Sequence, residues 1–294
     1  MNRSKLIGAT ALASVMAASA AHAEMSISGL YAGTLSDSDG GGLAHAFSTN
    51  SIYVSYSDSM DNGMGVSVNM SVTDAAIKTD VNIDTGMGTV ALGNGVDSAV
   101  DGMDGSPACF SLNLCGSALN ANYNDGDSIS GNSIGYKNSI GGVSFSISRG
   151  MENTDAATGN SPVMSYAAST SIMGATVKAG VSQIDYKAAG TADVDPSFVT
   201  VGYSLAGLSL GYAMYDGDNG GEETQMGVGT SMMGMDVGVT FATADLATDV
   251  DYTRISVGKG MGAASFGVDY TETDEAGGTD NDSDAWQFTY VVGF

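Results

Sequence analysis

Hydrophobic and polar residues alternate along most of this chain. In the segment from Ala285 to Phe294, large apolar side chains occupy every second position. They are Trp286, Phe288, Tyr290, Val292 and Phe294. A period of two residues is typical of a β-strand, because successive side chains of a strand point to opposite faces. The segment is therefore predicted to be a strand whose large apolar face needs an apolar partner.

The same alternation recurs along the chain and predicts sixteen strands in total. The third is representative, with Val66, Val68 and Met70 on one face and Ser67 and Asn69 on the other. The opposite faces of the other strands are likewise small and polar. We find no domain boundary and no linker between these segments.

Short and long connections alternate between the predicted strands. Met173-Gly174 and Ala206-Gly207 are minimal turns, whereas Ser36 to Thr49 and Asp216 to Glu223 are long and polar. Short turns on one rim and long loops on the other are typical of outer-membrane barrels. The sequence thus predicts an all-β chain folded as a transmembrane antiparallel β-barrel of sixteen strands. A barrel of this size leaves an aqueous lumen, with apolar faces toward lipid and polar faces toward water. Alternation alone also fits a secreted soluble β-protein.

The first residues are typical of a secretory leader. Arg3 and Lys5 precede an apolar stretch from Leu6 to Ala20, and Ala21-His22-Ala23 fits a small-residue cleavage site. A transmembrane helix is the weaker interpretation, because the apolar stretch is short. We predict a signal peptide at 1–23 and a single barrel domain at 24–294.

The composition limits the partners. The formal net charge is −24, which argues against nucleic acid because phosphates would be repelled. It favours cations and cationic solutes. Hydrophobic residues make up 43% of the chain and charged residues 14%, so the acidity does not indicate disorder.

Catalytic chemistry is poorly supported by the sequence. After removal of the leader one histidine remains, His45, in a predicted loop with no serine motif beside it. We expect that the protein is not an enzyme and needs no cofactor. Asp216, Asp218 and Glu222 are the candidates for an ordered Ca²⁺ site. A more general use of the loop carboxylates is divalent bridging to lipopolysaccharide.

Several short motifs occur in an order that resembles a known family. They are the opening Ile27 to Gly33, the short strand Gly88 to Gly93 that leads into the longest loop, Ser133 to Tyr136 after that loop, and the terminal Phe294. In these features the chain resembles the Gram-negative general porins, especially the sixteen-stranded alphaproteobacterial type.

The resemblance implies a homotrimer in the outer membrane, reached through the periplasm. It also implies that the third long loop, about Asn94 to Gly131, folds inward and narrows the pore. In such porins, acidic loop groups face basic wall groups. The matching loop residues are Asp97, Asp101, Asp104, Asp125 and Asp127, and strand parity places Lys78, Lys137, Lys178 and Arg254 toward the lumen.

Two features depart from the family pattern. The wall cations lie on separated strands instead of forming an arginine cluster. Cys109 and Cys115 are an additional pair, and in an exported chain an even pair predicts a disulfide.

We expect passive diffusion of small hydrophilic solutes and ions, with weak cation selectivity. The alternative is a non-conducting surface barrel that acts as an adhesin or receptor through its acidic loops.

Overall fold

The fold is one closed β-barrel. It is described by a computed structural model, which covers residues 24–38, 42–73, 76–110, 132–151, 163–185, 193–218, 221–245, 249–275 and 283–294. Sixteen strands in these residues form one closed barrel in chain order. This confirms the predicted sixteen-stranded all-β barrel. The predicted leader lies outside the described residues.

The strands vary in length around the barrel. They are β1 Glu24–Ser38, β2 Ala44–Ser59, β3 Gly65–Thr73, β4 Ile77–Asp84, β5 Thr89–Gly93, β6 Ser133–Ile140, β7 Val143–Gly150, β8 Val163–Ile172, β9 Ala175–Ile184, β10 Ser197–Leu205, β11 Leu208–Asp216, β12 Glu222–Met232, β13 Met235–Asp245, β14 Val250–Met261, β15 Ala264–Glu275 and β16 Ser283–Gly293. Within the described ranges, no helix has the length and apolar character needed to cross a membrane.

Burial separates the two faces of the sheet. Val199 and Phe241 expose 37% and 55% of their surface, whereas their strand neighbours Thr200 and Thr240 expose 1% and 2%. A water-soluble protein shows the opposite pattern, with apolar side chains inside. The apolar stripe is therefore the outer, lipid-facing surface of a transmembrane barrel, and the small polar side chains face inward.

The two-residue turns follow from left-handed backbone conformations. At Met173 and Gly174 the φ angles are 52° and 85°, and at Met233 and Gly234 they are 57° and 73°. Two successive positive φ angles make the type I′ geometry, whose twist matches that of antiparallel strands. These turns confirm the predicted minimal connections on one rim.

Two of the predicted long loops are shorter than expected. The prediction of a loop from Ser36 to Thr49 is wrong, because β2 begins at Ala44, and Ala44 pairs with Ser36 of β1. This part of β2 lacks a clean alternation, and its register shifts at a bulge beside Ala32 and Gly33. The loop predicted from Asp216 to Glu223 is also shorter, because β11 ends at Asp216 and β12 begins at Glu222.

The first and last strands close the barrel. Tyr31 of β1 lies opposite Val292 of β16, and the pairing continues to Phe294, whose carbonyl accepts from the Gly29 N–H at 2.8 Å. The Phe294 ring covers Gly29 so closely that a Cβ at that glycine would collide with it. The glycine thus leaves the space that the terminal ring fills.

Candidate functional site

The candidate site begins where β5 stops. Gly93 has a φ of 144°, a conformation that disfavours side chains, and a Cβ there would lie 2.8 Å from the Cα of Asp80. A glycine at this position lets the chain leave the sheet after only five residues of β5. β5 therefore ends at Gly93, just before the predicted third long loop.

Asn94 hydrogen-bonds to the backbone of β4 at the point where the neighbouring strand β5 has ended. Its Oδ1 accepts from the Thr79 N–H at 2.7 Å, and its Nδ2 donates to the Ile77 carbonyl at 3.2 Å. The Gly95 N–H donates to the Thr79 carbonyl at 3.1 Å. Backbone groups that would otherwise lack partners are satisfied in this way.

We call residues 94–110 the crossing segment, because they contact the inner faces of strands from β4 to β14. In its first half, the Ala99 N–H donates to Ser148 Oγ of β7 at 2.7 Å. Ala99 and Val100 are fully buried in an apolar cluster on the wall, which also contains Ala167, Phe198, Ala213 and Tyr215. Burial of these small side chains holds the segment against β8, β10 and β11.

Two wall hydroxyls hold the second half of the crossing segment. Tyr215 of β11 donates to the Asp104 carbonyl at 2.7 Å, and Thr240 of β13 donates to the Ala108 carbonyl at 2.7 Å. Both bonds join a strand side chain to the segment's backbone. The path of the segment is thereby fixed at two points along its length.

Glycines on the inner face make room for the segment. A Cβ at Gly211 would collide with the backbone of Pro107, and one at Gly227 with the backbone of Ala108. At two further positions, Gly229 and Gly238, a Cβ would collide with the Phe110 ring. With Gly202, where a Cβ would lie 3.1 Å from Pro107 Cβ, these residues form what we call the glycine track of β10–β13. Backbone approaches this close are available only to glycine.

The four wall cations of the sequence prediction lie at different places along the crossing segment. A Cβ added at Gly95 would lie 3.3 Å from Lys78 Cβ, and a Cβ added at Gly102 would lie 3.9 Å from Lys137 Nζ. Lys178 lies on the same inner face of β9, opposite Thr200. The four cations are therefore distributed around the barrel, on β4, β6, β9 and β14.

Arg254 is the most enclosed of the four, with 1% of its surface exposed. Its Nε donates to Thr271 Oγ1 at 3.2 Å, and its Nη1 donates to Cys109 Sγ at 3.7 Å. Its guanidinium carbon lies 5.2 Å from the centroid of the Tyr252 ring, within range of a cation–π contact. A positive charge is thus held where the crossing segment reaches β14.

The acidic candidates are divided between exposed and partly enclosed positions. Asp97 and Asp101 are exposed, and Asp104 is half-buried. Asp125 and Asp127 lie outside the described residues. The exposed carboxylates keep contact with water, whereas the backbone around them is anchored to the wall.

The predicted disulfide involves one described and one undescribed residue. No described cysteine carries a free thiol, and Cys115 lies outside the described residues. The pairing of Cys109 with Cys115 stays a prediction.

The Ca²⁺ candidates lie where β11 ends and β12 begins. Asp216 and Glu222 are opposite each other at the ends of β11 and β12. Asp216 Oδ1 accepts from the Asp218 N–H at 2.8 Å, and Asp218 Oδ2 accepts from the Asp195 N–H at 3.1 Å. Among the described residues there is no group of three or more His, Cys, Asp or Glu that could hold a metal ion. The two aspartates satisfy backbone donors here.

Several residues of the site were missed from the sequence. Asn94, Ser148, Tyr215 and Thr240 carry no motif, because each acts through a contact distant in the chain. The glycine track did leave a signal. Glycine recurs at inward positions of four consecutive strands, where serine and threonine are usual elsewhere in this chain.

Comparison with known proteins agrees with this fold. The profile of the Gram-negative porin family matches residues 8–291. A search of curated proteins found no match.

Similar solved structures share the fold at low identity. One is a loop-deletion mutant of OmpT, an outer membrane protein of Vibrio cholerae, with a TM-score of 0.73, 14% identity and coverage of 93% of this chain and 100% of that chain. Another is a mutant of the Rhodopseudomonas blastica porin, with a TM-score of 0.66, 16% identity and coverage of 92% and 100%. The family profile covers nearly the whole chain and the barrel has the matching architecture. The chain therefore belongs to the Gram-negative porin family, as an outer-membrane channel protein.

Proposed function

We propose that this porin is a passive diffusion channel for small hydrophilic solutes, narrowed by the crossing segment. The observation that supports this most directly is the attachment of residues 94–110 to inner-face groups from β4 to β14. A segment held against the inner wall reduces the open area without closing a barrel of this size. The family match favours this function over a non-conducting adhesin or receptor.

We further propose a weak preference for cations. The chain has 33 acidic and 9 basic side chains, and two of the basic ones belong to the predicted leader. Asp97 and Asp101 of the crossing segment are exposed to water, whereas Arg254 is enclosed. An acidic aqueous passage between low-dielectric walls concentrates cations and repels anions.

A planar-bilayer experiment tests conduction and charge preference together. Purified protein is added to one side, and the reversal potential is measured in a KCl gradient. Large stepwise currents with a potential of the sign expected for K⁺ permeation are the predicted result. The double variant Asp97→Asn with Asp101→Asn should move the potential toward zero, and Asp37→Asn on the outer rim is the matched control. Silent membranes would contradict the channel, and a Cl⁻ preference would contradict the charge proposal.

We also propose that the barrel assembles as a homotrimer. One structurally similar protein, OmpT of Vibrio cholerae, is described in a trimer form, and it covers 93% of this chain with a TM-score of 0.71. Each barrel would keep its own channel, with loop carboxylates bridged to lipopolysaccharide by divalent cations. Native mass spectrometry from detergent should give three times the monomer mass, and a monomer mass would contradict the proposal.

The remaining expectations have separate tests. A disulfide between Cys109 and Cys115 would stiffen the loop beside Arg254, and peptide mapping without reductant should recover the linked pair. Two unlinked peptides would contradict it. The expectations that the chain is not an enzyme and needs no cofactor stay predictions.

A further inference from the structure

Five buried side-chain oxygens on the last three strands lack hydrogen-bond partners. They are Ser256 Oγ, both carboxylate oxygens of Asp269, Gln287 Oε1 and Thr289 Oγ1. Asp269, Ser256 and Thr289 expose 1%, 3% and 0% of their surface. Buried polar groups are normally hydrogen-bonded, so such a concentration of unpaired oxygens needs an explanation.

The strand register brings these oxygens together. Ser256 of β14 lies directly opposite Asp269 of β15, and Asp269 lies directly opposite Gln287 of β16. Thr289 is two residues farther along β16, on the same face. Cross-strand neighbours have their Cβ atoms about 4.5–5.5 Å apart. Asp269 therefore has Ser256 and Gln287 as its direct neighbours on either side, and Thr289 as a diagonal neighbour on β16.

The charge of Asp269 makes the arrangement costly as it stands. An ionised carboxylate removed from water without a partner is strongly unfavourable. The nearest described cation on this face is Arg254, two residues from Ser256 along β14. Its guanidinium contacts Thr271, Cys109 and the Tyr252 ring. No ion pair between Arg254 and Asp269 is present, so the carboxylate needs another counter-charge.

We infer that these four side chains form a binding site for one dehydrated monovalent cation of the Na⁺ or K⁺ class. All the unpaired atoms are oxygens, which are the ligands that hard cations prefer. A single carboxylate neutralises a single positive charge, and the neutral oxygens of Ser256, Gln287 and Thr289 complete the coordination. A divalent ion would keep an excess charge in this environment.

The site differs from the crossing segment in place and in chemistry. It is on the inner face of β14–β16, and it uses one acidic residue instead of a carboxylate cluster. Its existence does not depend on the direction of ion selectivity, because a channel that prefers anions could still hold a structural cation in its wall.

Thallium provides a direct probe, since Tl⁺ replaces K⁺ and scatters X-rays anomalously. Crystals of the full protein grown in potassium salt are soaked in thallium salt. Anomalous density among the oxygens of Ser256, Asp269, Gln287 and Thr289 is expected in the wild type and should be lost in Asp269→Asn. It should persist in Asp236→Asn, the matched control, because Asp236 is an inner-face carboxylate that already accepts from Ser231. Absence of wild-type density at these oxygens would overturn the inference.

A measurement in lipid vesicles tests the same site without crystals. The urea midpoint of unfolding in lipid vesicles is compared in potassium chloride and in choline chloride at equal ionic strength. A bound cation raises the midpoint in potassium, because a ligand that binds only the folded state stabilises it. The difference should disappear in Asp269→Asn and remain in Asp236→Asn. Equal wild-type midpoints in the two salts would refute the cation site.

Discussion

The inner face of the barrel has two contrasting regions. On β10–β13, the glycine track removes side chains, and the crossing segment contacts the strand backbone there. On β3 and β4, polar side chains remain. Asn69 Nδ2 donates to Asp80 Oδ2 at 2.9 Å, Asn82 donates to the same oxygen, and both strands are half-buried along most of their length.

The contrast separates the strands that admit the crossing segment's backbone from strands that keep hydrogen-bonded polar side chains. Where the backbone of Pro107 and Ala108 and the ring of Phe110 lie against the sheet, a side chain would displace them, and the sequence places glycine. On β3 and β4, the sequence places hydrogen-bonded amides and a carboxylate. The glycines that admit the segment and these polar groups thus lie on different strands.

The largest effect on stability and conductance is expected from adding a side chain within the glycine track. In Gly227→Val, the new side chain collides with the Ala108 backbone, and overpacking of this kind costs about 1–3 kcal/mol. Displacement of the segment should also change the single-channel conductance. Urea unfolding in vesicles and bilayer recordings check the two results.

Gly260→Val is the matched control for that substitution. Gly260 lies on the inner face of β14, and a Cβ there would meet nothing within 4 Å. The conductance of the Gly260→Val variant should equal that of the wild type. Identical behaviour of the two variants would mean that the track does not position the segment.

A loss of similar or smaller size is expected from Thr240→Val. The substitution removes the donor to the Ala108 carbonyl, and a buried acceptor left without a partner costs about 1–3 kcal/mol. Thr240→Ser retains the hydroxyl and should recover most of the free energy of unfolding. If the serine variant were as unstable as the valine variant, lost packing would be the cause.

A smaller loss is expected from Tyr215→Phe. The ring stays in the apolar cluster, and only the hydrogen bond to the Asp104 carbonyl is lost, which typically contributes about 0.5–1.5 kcal/mol. Tyr212→Phe, on the outer face of the same strand, is the control for removal of a hydroxyl. Equal free energies of unfolding for both variants and the wild type would show that this bond does not hold the segment.

The smallest effect on stability is expected on the opposite wall. Asp80→Asn removes a charge beside the passage without touching the glycine track. The reversal potential in a KCl gradient should move slightly toward that of a less cation-selective pore, while the conductance stays near the wild-type value. A large change in conductance would show that the Asp80 side chain also positions the segment.

The fold could be predicted because its signal is local. Alternation in strands such as β3 gives the face of every side chain, and Gly93 and Asn94 mark the end of β5 in the sequence itself. The orientation of Lys78, Lys137, Lys178 and Arg254 followed from the same period of two.

The site could be predicted only in outline. The bond between Thr240 and Ala108 joins residues 132 positions apart, and neither residue differs locally from its neighbours. The pairing of Ala44 with Ser36 was missed for the opposite reason. That part of β2 extends through backbone pairing, although its side chains show no alternation.

The pairing of β1 with β16 has a consequence for assembly. These strands are the first and last in the chain order, so the seam between them joins the most distant parts of the sheet. Local hairpins can form early, whereas this seam requires a very long loop to close, which slows folding. Until Phe294 settles over Gly29, both sheet edges present unpaired backbone groups that a bilayer interior cannot satisfy. Closure of that seam is therefore expected to be the late, committing step of insertion.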